Sequence, residues 1–119
     1  MTMADGAEAE RVIAFGPAGQ ALVRRIGGDG VLVLFDLLAH GRVAAGAVVV
    51  TTGYRAIARR VGLSKDTVGR QIGALARYGV VKRLASVEKK DGFPTPTYEL
   101  RLADVGIEVS DSAPSWTAS

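Results

Sequence analysis

The sequence predicts a small α+β domain of three to four helices with a small antiparallel sheet and a β-hairpin, and three observations carry that expectation. Between Tyr54 and Tyr78 two helical patterns meet at the short break Val61-Gly62-Leu63-Ser64. After Gly79 the apolar repeat switches from the helical spacing to the alternation of strands. The run Ala47 to Thr52, AVVVTT, is β-branched and short, which suits a strand placed just ahead of the paired helices.

Length and composition set the frame. The chain has 119 residues, 48% hydrophobic and 23% charged, which suits one globular domain with short tails. Residues 1–10, MTMADGAEAE, are small and acidic and are expected to be a disordered start. The domain is expected over 11–102 and a mostly disordered tail over 103–119. No apolar run approaches the roughly 18 to 20 residues that cross a bilayer, and no basic region followed by an apolar segment opens the chain. A cytoplasmic protein without a membrane partner is expected. The absence of cysteine removes disulfides, thiolate metal sites and cysteine nucleophiles.

Val12, Ile13 and Phe15 are either a strand or an anchoring segment. Pro17 suits the first turn of a helix whose apolar side is Ala21, Leu22, Val23 and Ile26, and Gly27-Gly28 is expected to stop it. A second helix begins at Asp29 or Gly30. Its stretch Val31 to Ala39 places Val31, Leu34, Phe35 and Leu38 on a core stripe, yet Leu32 and Leu37 are apolar too. Such a helix is covered on more than one side. Either the Gln20 to Ile26 helix covers the second side, or a second copy of the chain does, giving a homodimer through the 17–39 helices. Gly41 to Gly46 reads as a connector, and Thr52 is placed to cap the helix that begins near Tyr54.

In that helix Ile57, Ala58 and Val61 share a face, while Arg55, Arg59 and Arg60 point elsewhere. Gly62 ends it, because a residue without Cβ takes the left-handed conformation freely. Ser64 is a natural N-cap for the next helix, Asp66 sits in its first turn where the helix dipole favours negative charge, and Val68, Ile72 and Leu75 form its apolar stripe. Beyond Gly79, residues 80–87 alternate and Thr97 to Leu102 puts Tyr98, Leu100 and Leu102 on one face. Between them EKKDGFPTP, residues 88–96, carries a turn signal at Asp91-Gly92 and two prolines. The tail holds a strand candidate near Val105 to Val109, and its only tryptophan, Trp116, reads as a loosely held aromatic more readily than as a partner anchor.

The spacing Ala58, Gly62-Leu63-Ser64, Thr67-Val68, Arg70, Ile72 resembles the helix-turn-helix signature of bacterial DNA-binding regulators. Leu75 to Val81 is similar to the exit that leads into the wing of winged helix-turn-helix proteins, and the 88–96 hairpin resembles that wing. The resemblance implies a winged helix-turn-helix fold, a nucleoid-associated location, and double-stranded DNA as partner. It implies a transcriptional regulator first. The same order of elements also resembles the winged helices of replication initiators, so a plasmid or phage replication or partition factor is the alternative. A winged helix converted into a protein-interaction module, using the apolar helix from Val31, is the other.

Charge agrees with a polyanionic partner. Residues 54–101 hold eleven Lys or Arg against four acids, whereas the rest of the chain holds four against eight, within a net charge of +3. A helix over 64–78 in the major groove presents Lys65, Thr67, Arg70 and Gln71 to the bases, with Arg70 the best reader of guanine and Gln71 of adenine. Tyr54, Arg55, Arg59, Ser64, Lys89 and Lys90 are placed for the backbone. The hairpin lysines are readable, less readily, as solubilising surface charge. Gly69, unusual in mid-helix, either lets the helix approach DNA closely or is drift at an exposed site. An enzyme is not expected: His40 has no partners for a metal site or a nucleophile, the carboxylates do not pair at a useful spacing, and no phosphate-cradling glycine loop occurs. No cofactor, metal or catalytic residue is expected.

Overall fold

The computed structural model describes residues 10–44, 46–84, 89–90 and 93–112. Their elements run β1 (Glu10–Phe15), α1 (Pro17–His40), β2 (Arg42–Ala44), β3 (Ala47–Thr51), α2 (Tyr54–Val61), α3 (Lys65–Arg77), β4 (Val81–Leu84), β5 (Lys89–Lys90), β6 (Phe93–Pro94), β7 (Thr97–Leu100), a 3-10 turn (Ala103–Val105) and β8 (Ile107–Ser112). The class is α+β, with three α-helices and small antiparallel sheets. Among the described residues no helix is long and apolar enough to cross a membrane. Of the expected start at 1–10, residues 1–9 lie outside the described residues, as do the Asp91-Gly92 turn and Trp116, while Glu10 belongs to β1.

The two helices expected over 17–39 are both present within the span labelled α1, and they meet across a kink at Gly27, where the sequence expects the first to stop. Gly27 takes φ 76 and ψ −178, a region essentially restricted to glycine, and the helix resumes beyond it. The kink folds both halves onto one core, to which Leu22 and Ile26 contribute from the first and Val33, Leu34, Leu37 and Leu38 from the second. The expected stripe is therefore rotated. Leu34 and Leu38 are buried and Val31 packs at the margin, but Phe35 is 43% exposed and Leu32 46%. A helix apolar on every side does not choose its own buried face; α2, α3 and the sheet choose it. Phe35 leans instead on Phe15 of β1, with ring centroids 6.0 Å apart.

Buried Asp36 lies outside anything the stripe reveals. Arg60 of α2 grips it with two hydrogen bonds of 2.8 Å, Nε to Oδ1 and Nη2 to Oδ2, and reaches Thr52 Oγ1 at 3.2 Å. The hydrogen bond to Asp36 raises the Arg60 pKa against the opposing effect of burial, and the Asp36 charge adds to the rise. Thr52 is consequently not the cap of α2. That position is Gly53, which offers no side chain, while the Thr52 hydroxyl is committed to Arg60. His40 Nδ1 donates to the Asp36 carbonyl oxygen at 2.9 Å, so the lone histidine closes the last turn of α1. Arg11 of β1 donates to the carbonyls of Leu38 and Gly41 at the same helix end.

The main sheet has the order β2-β3-β7-β4, all antiparallel. The expected connector at 41–46 is in part a strand: Arg42 pairs with Val49 and Ala44 with Ala47. Val48, Val50, Tyr98, Leu100 and Leu102 are buried, so the alternation read from TYELRL is the one observed. Val48 and Val81 both face Leu100 across the ladder, and Arg83 faces Tyr98. The described residues also run past 102. β8 starts later than the strand expected near 105–109 and pairs along its whole length with β1, from Phe15 opposite Ile107 to Glu10 opposite Ser112. Ile107 belongs to the core.

Candidate nucleic-acid interface

The α2-turn-α3 unit is built by local chemistry. Gly62, at φ 76 and ψ 28, turns the chain while its N–H bonds to the Ala58 carbonyl at 2.9 Å, and Leu63 N–H bonds to the same oxygen at 3.2 Å. Ser64 then caps α3 by accepting from the Thr67 N–H at 3.1 Å. Val68, Ile72 and Leu75 are buried, which seats α3 on α1 and leaves its other side outward.

On the outward side a short chain of hydrogen bonds forms. The Ser64 hydroxyl donates to Thr67 Oγ1 at 2.9 Å, and Arg70 Nη2 donates to the same oxygen at 3.2 Å. Arg70 is thus exposed yet tethered, its guanidinium laid toward the N-terminal end of α3. Lys65 and Asp66 are exposed beside it. Ser64, expected at the DNA backbone, spends its acceptor on the cap.

Gln71 sits differently from its expected place. It is half-buried, and its amide oxygen lies beside Gly30, where a Cβ would come within 3.1 Å. The side chain faces α1 rather than the outward edge that holds Arg70. Gly69 also acquires a definite role. A Cβ there would meet the Tyr54 ring at 3.1 Å, so the glycine admits an aromatic ring from α2. Neither a close approach to DNA nor drift is needed to explain it.

Arg55 and Arg59 are exposed on α2, and Lys82 and Arg83 on β4. Among the described residues none of these cations, nor Lys65 or Arg70, is in an ion pair; the pairs seen are Arg60 with Asp36, Arg101 with Glu99 at 3.2 Å, and His40 with Asp36. Lys89 and Lys90 form β5, paired with Pro94 and Phe93 of β6 in a separate two-stranded ribbon. The structure therefore brings together Tyr54, Arg55, Lys65, Thr67 and Arg70 around the ends of α2 and α3, and adds Arg83. In the sequence Arg83 is only one member of an alternating strand. Its place beside α2 depends on the pairing of β4 with β7, which no local signal contains.

Set against known proteins, the chain matches no family model, no curated protein and no solved structure.

Proposed function

We propose that the chain is a sequence-selective binder of double-stranded DNA of the winged helix-turn-helix type, a transcriptional regulator working on the nucleoid in the cytoplasm. The major groove admits a helix and displays a distinct donor and acceptor pattern for each base pair, and α3 is the element offered to it. Arg70 reads guanine through O6 and N7, Lys65 and Thr67 serve the helix entry, and Arg55, Arg59 and the 88–96 hairpin grip phosphates. The observation that carries this reading is the tethering of Arg70 to Thr67 on the exposed side of α3, with Arg55, Arg59, Lys65 and Arg83 exposed around it and in no ion pair with a described carboxylate. Leu32 and Phe35, exposed on α1, support a homodimer through that helix, since a second copy would remove this apolar side from water.

Selection of bound sites from a random duplex library tests the proposal. The expected result is a pair of half-sites about one helical turn apart, with Arg70→Ala losing about 1 to 3 kcal/mol on that site and relaxing selectivity at one base pair. Duplexes without a common motif, bound equally by Arg70→Ala, would take base reading away from α3. Replacing Lys89 and Lys90 is expected to weaken all duplexes alike and to lower the salt slope by roughly 0.9 for each phosphate that is no longer neutralised.

A further inference from the structure

A cleft of about 460 Å³ opens between the start of α2, the start of α3 and strands β4 and β7, lined by Gly53, Tyr54, Arg55, Lys65, Arg83, Pro96 and Tyr98. Its volume falls within the range of small-molecule sites, roughly 300 to 1,000 Å³. The lining divides by chemistry. Tyr54, Pro96 and Tyr98 supply flat or ring-shaped apolar surface, whereas Arg55, Lys65 and Arg83 are exposed cations. Among the described residues the lining holds no carboxylate.

Two further observations show that the cleft is suited to a ligand. Tyr98 is 1% exposed, and its buried hydroxyl makes no well-formed hydrogen bond, having only the Tyr54 phenol beside it. A buried hydroxyl so poorly satisfied is costly and uncommon, and it calls for an explanation. Burial, with the neighbouring Tyr54 phenol, pushes its pKa far above the ordinary value while Arg83 opposes the rise, so the group remains an O–H donor. Both of these neighbours line the cleft. In the same lining, α2 begins at Gly53 with no side chain capping its first turn. The Tyr54 ring, seated over Gly69, forms part of the cleft wall.

We propose that this cleft binds a single nucleotide, its base against Tyr54, Pro96 and Tyr98 with a ring acceptor taking the Tyr98 hydroxyl, and its phosphate on Arg55, Lys65 and Arg83. Stacking of bases on aromatic side chains beside cationic groups is the general means by which unpaired nucleotides are held. The ligand has two sources, a free nucleotide or an unpaired 5′-phosphorylated nucleotide at the end of a strand. The cleft shares Arg55 and Lys65 with the surface proposed for the duplex, so a free nucleotide would compete with a duplex for these two residues, whereas Arg83, Pro96 and Tyr98 are its own.

Calorimetric titration of the full chain with 5′-AMP, adenosine and inorganic phosphate, without DNA, tests it. 5′-AMP is expected to bind at least about tenfold more tightly than either fragment, because only the whole ligand meets both the aromatic and the cationic parts of the lining. Tyr98→Phe should weaken 5′-AMP about fivefold, the worth of one hydrogen bond, while its Tm stays unchanged or rises because an unsatisfied group has been removed. Arg83→Ala should weaken 5′-AMP and leave adenosine unaffected. Binding of phosphate as tight as that of 5′-AMP, an unaltered 5′-AMP affinity in Tyr98→Phe, or no 5′-AMP binding overturns the proposal, whatever the duplex experiments return. Competition between 5′-AMP and a duplex carrying one unpaired 5′-phosphorylated nucleotide, against a blunt duplex, then assigns the source.

Discussion

Helices α1 and α3 differ in how their buried faces are chosen. α3 carries its apolar residues on one stripe, Val68, Ile72 and Leu75, and all three are buried as that spacing demands. α1 is apolar on several sides and is broken by Gly27; its core face is Val33, Leu34, Leu37 and Leu38, while Phe35 is left at the surface. A single stripe leaves one way to satisfy the hydrophobic effect, whereas a helix greasy all round leaves several, and packing partners settle among them. The same contrast holds for polar groups. Ser64 finds its partner three residues away, but Asp36 finds Arg60 on another helix.

The sharpest way to break this comparison is to truncate both aromatic and aliphatic positions of α1. Leu37→Ala is expected to cost about 2 to 5 kcal/mol in urea unfolding, because its side chain is wholly buried. Phe35→Ala should cost less, about 1 kcal/mol, because only part of its ring surface is removed from water. Equal losses would restore the stripe expected from the sequence. Next in size is Arg60→Ala, on the order of 3 kcal/mol, since it strands the Asp36 carboxylate inside the protein. The double variant Asp36→Leu with Arg60→Met should recover most of that loss, and an additive double variant would show that the pair does not act as a unit.

The smallest test sets one glycine against another. Gly27→Ala forces a side chain into a conformation reserved for glycine, so a loss of about 1 to 3 kcal/mol is expected although the space around it is open. Gly73→Ala on α3 should instead stabilise by roughly 0.5 to 1 kcal/mol, because its Cβ would sit at an ordinary distance, 3.8 Å, from the Arg77 guanidinium. Thermal unfolding of the two variants reads the opposite signs directly.

Much of the α2-turn-α3 unit was legible from residues 54–78 because each of its signals is closed within a few positions. The Gly62 turn, the Ser64 cap and the α3 stripe each involve neighbours on one or two turns. The candidate site was legible only where it follows that unit: Lys65, Thr67 and Arg70 stand on the outward side, but Gln71 is drawn toward α1 and Gly69 is explained by Tyr54. Angular position on a helix says which side a residue starts from, and the neighbour across the interface says where its side chain ends.

The sequence alone determined the α+β class, the boundaries of α2 and α3, the buried face of α3 and the alternation of Tyr98, Leu100 and Leu102, because these rest on contacts between residues a few positions apart. Only the tertiary structure decided the rotated face of α1, the Asp36–Arg60 pair, the β1–β8 ribbon joining the two ends of the described chain, and the cleft of Tyr54, Arg83 and Tyr98. Each of those depends on segments far apart in sequence whose meeting is set by the packing of the whole core, and no local pattern encodes which of several apolar or charged groups will be nearest when the chain has closed.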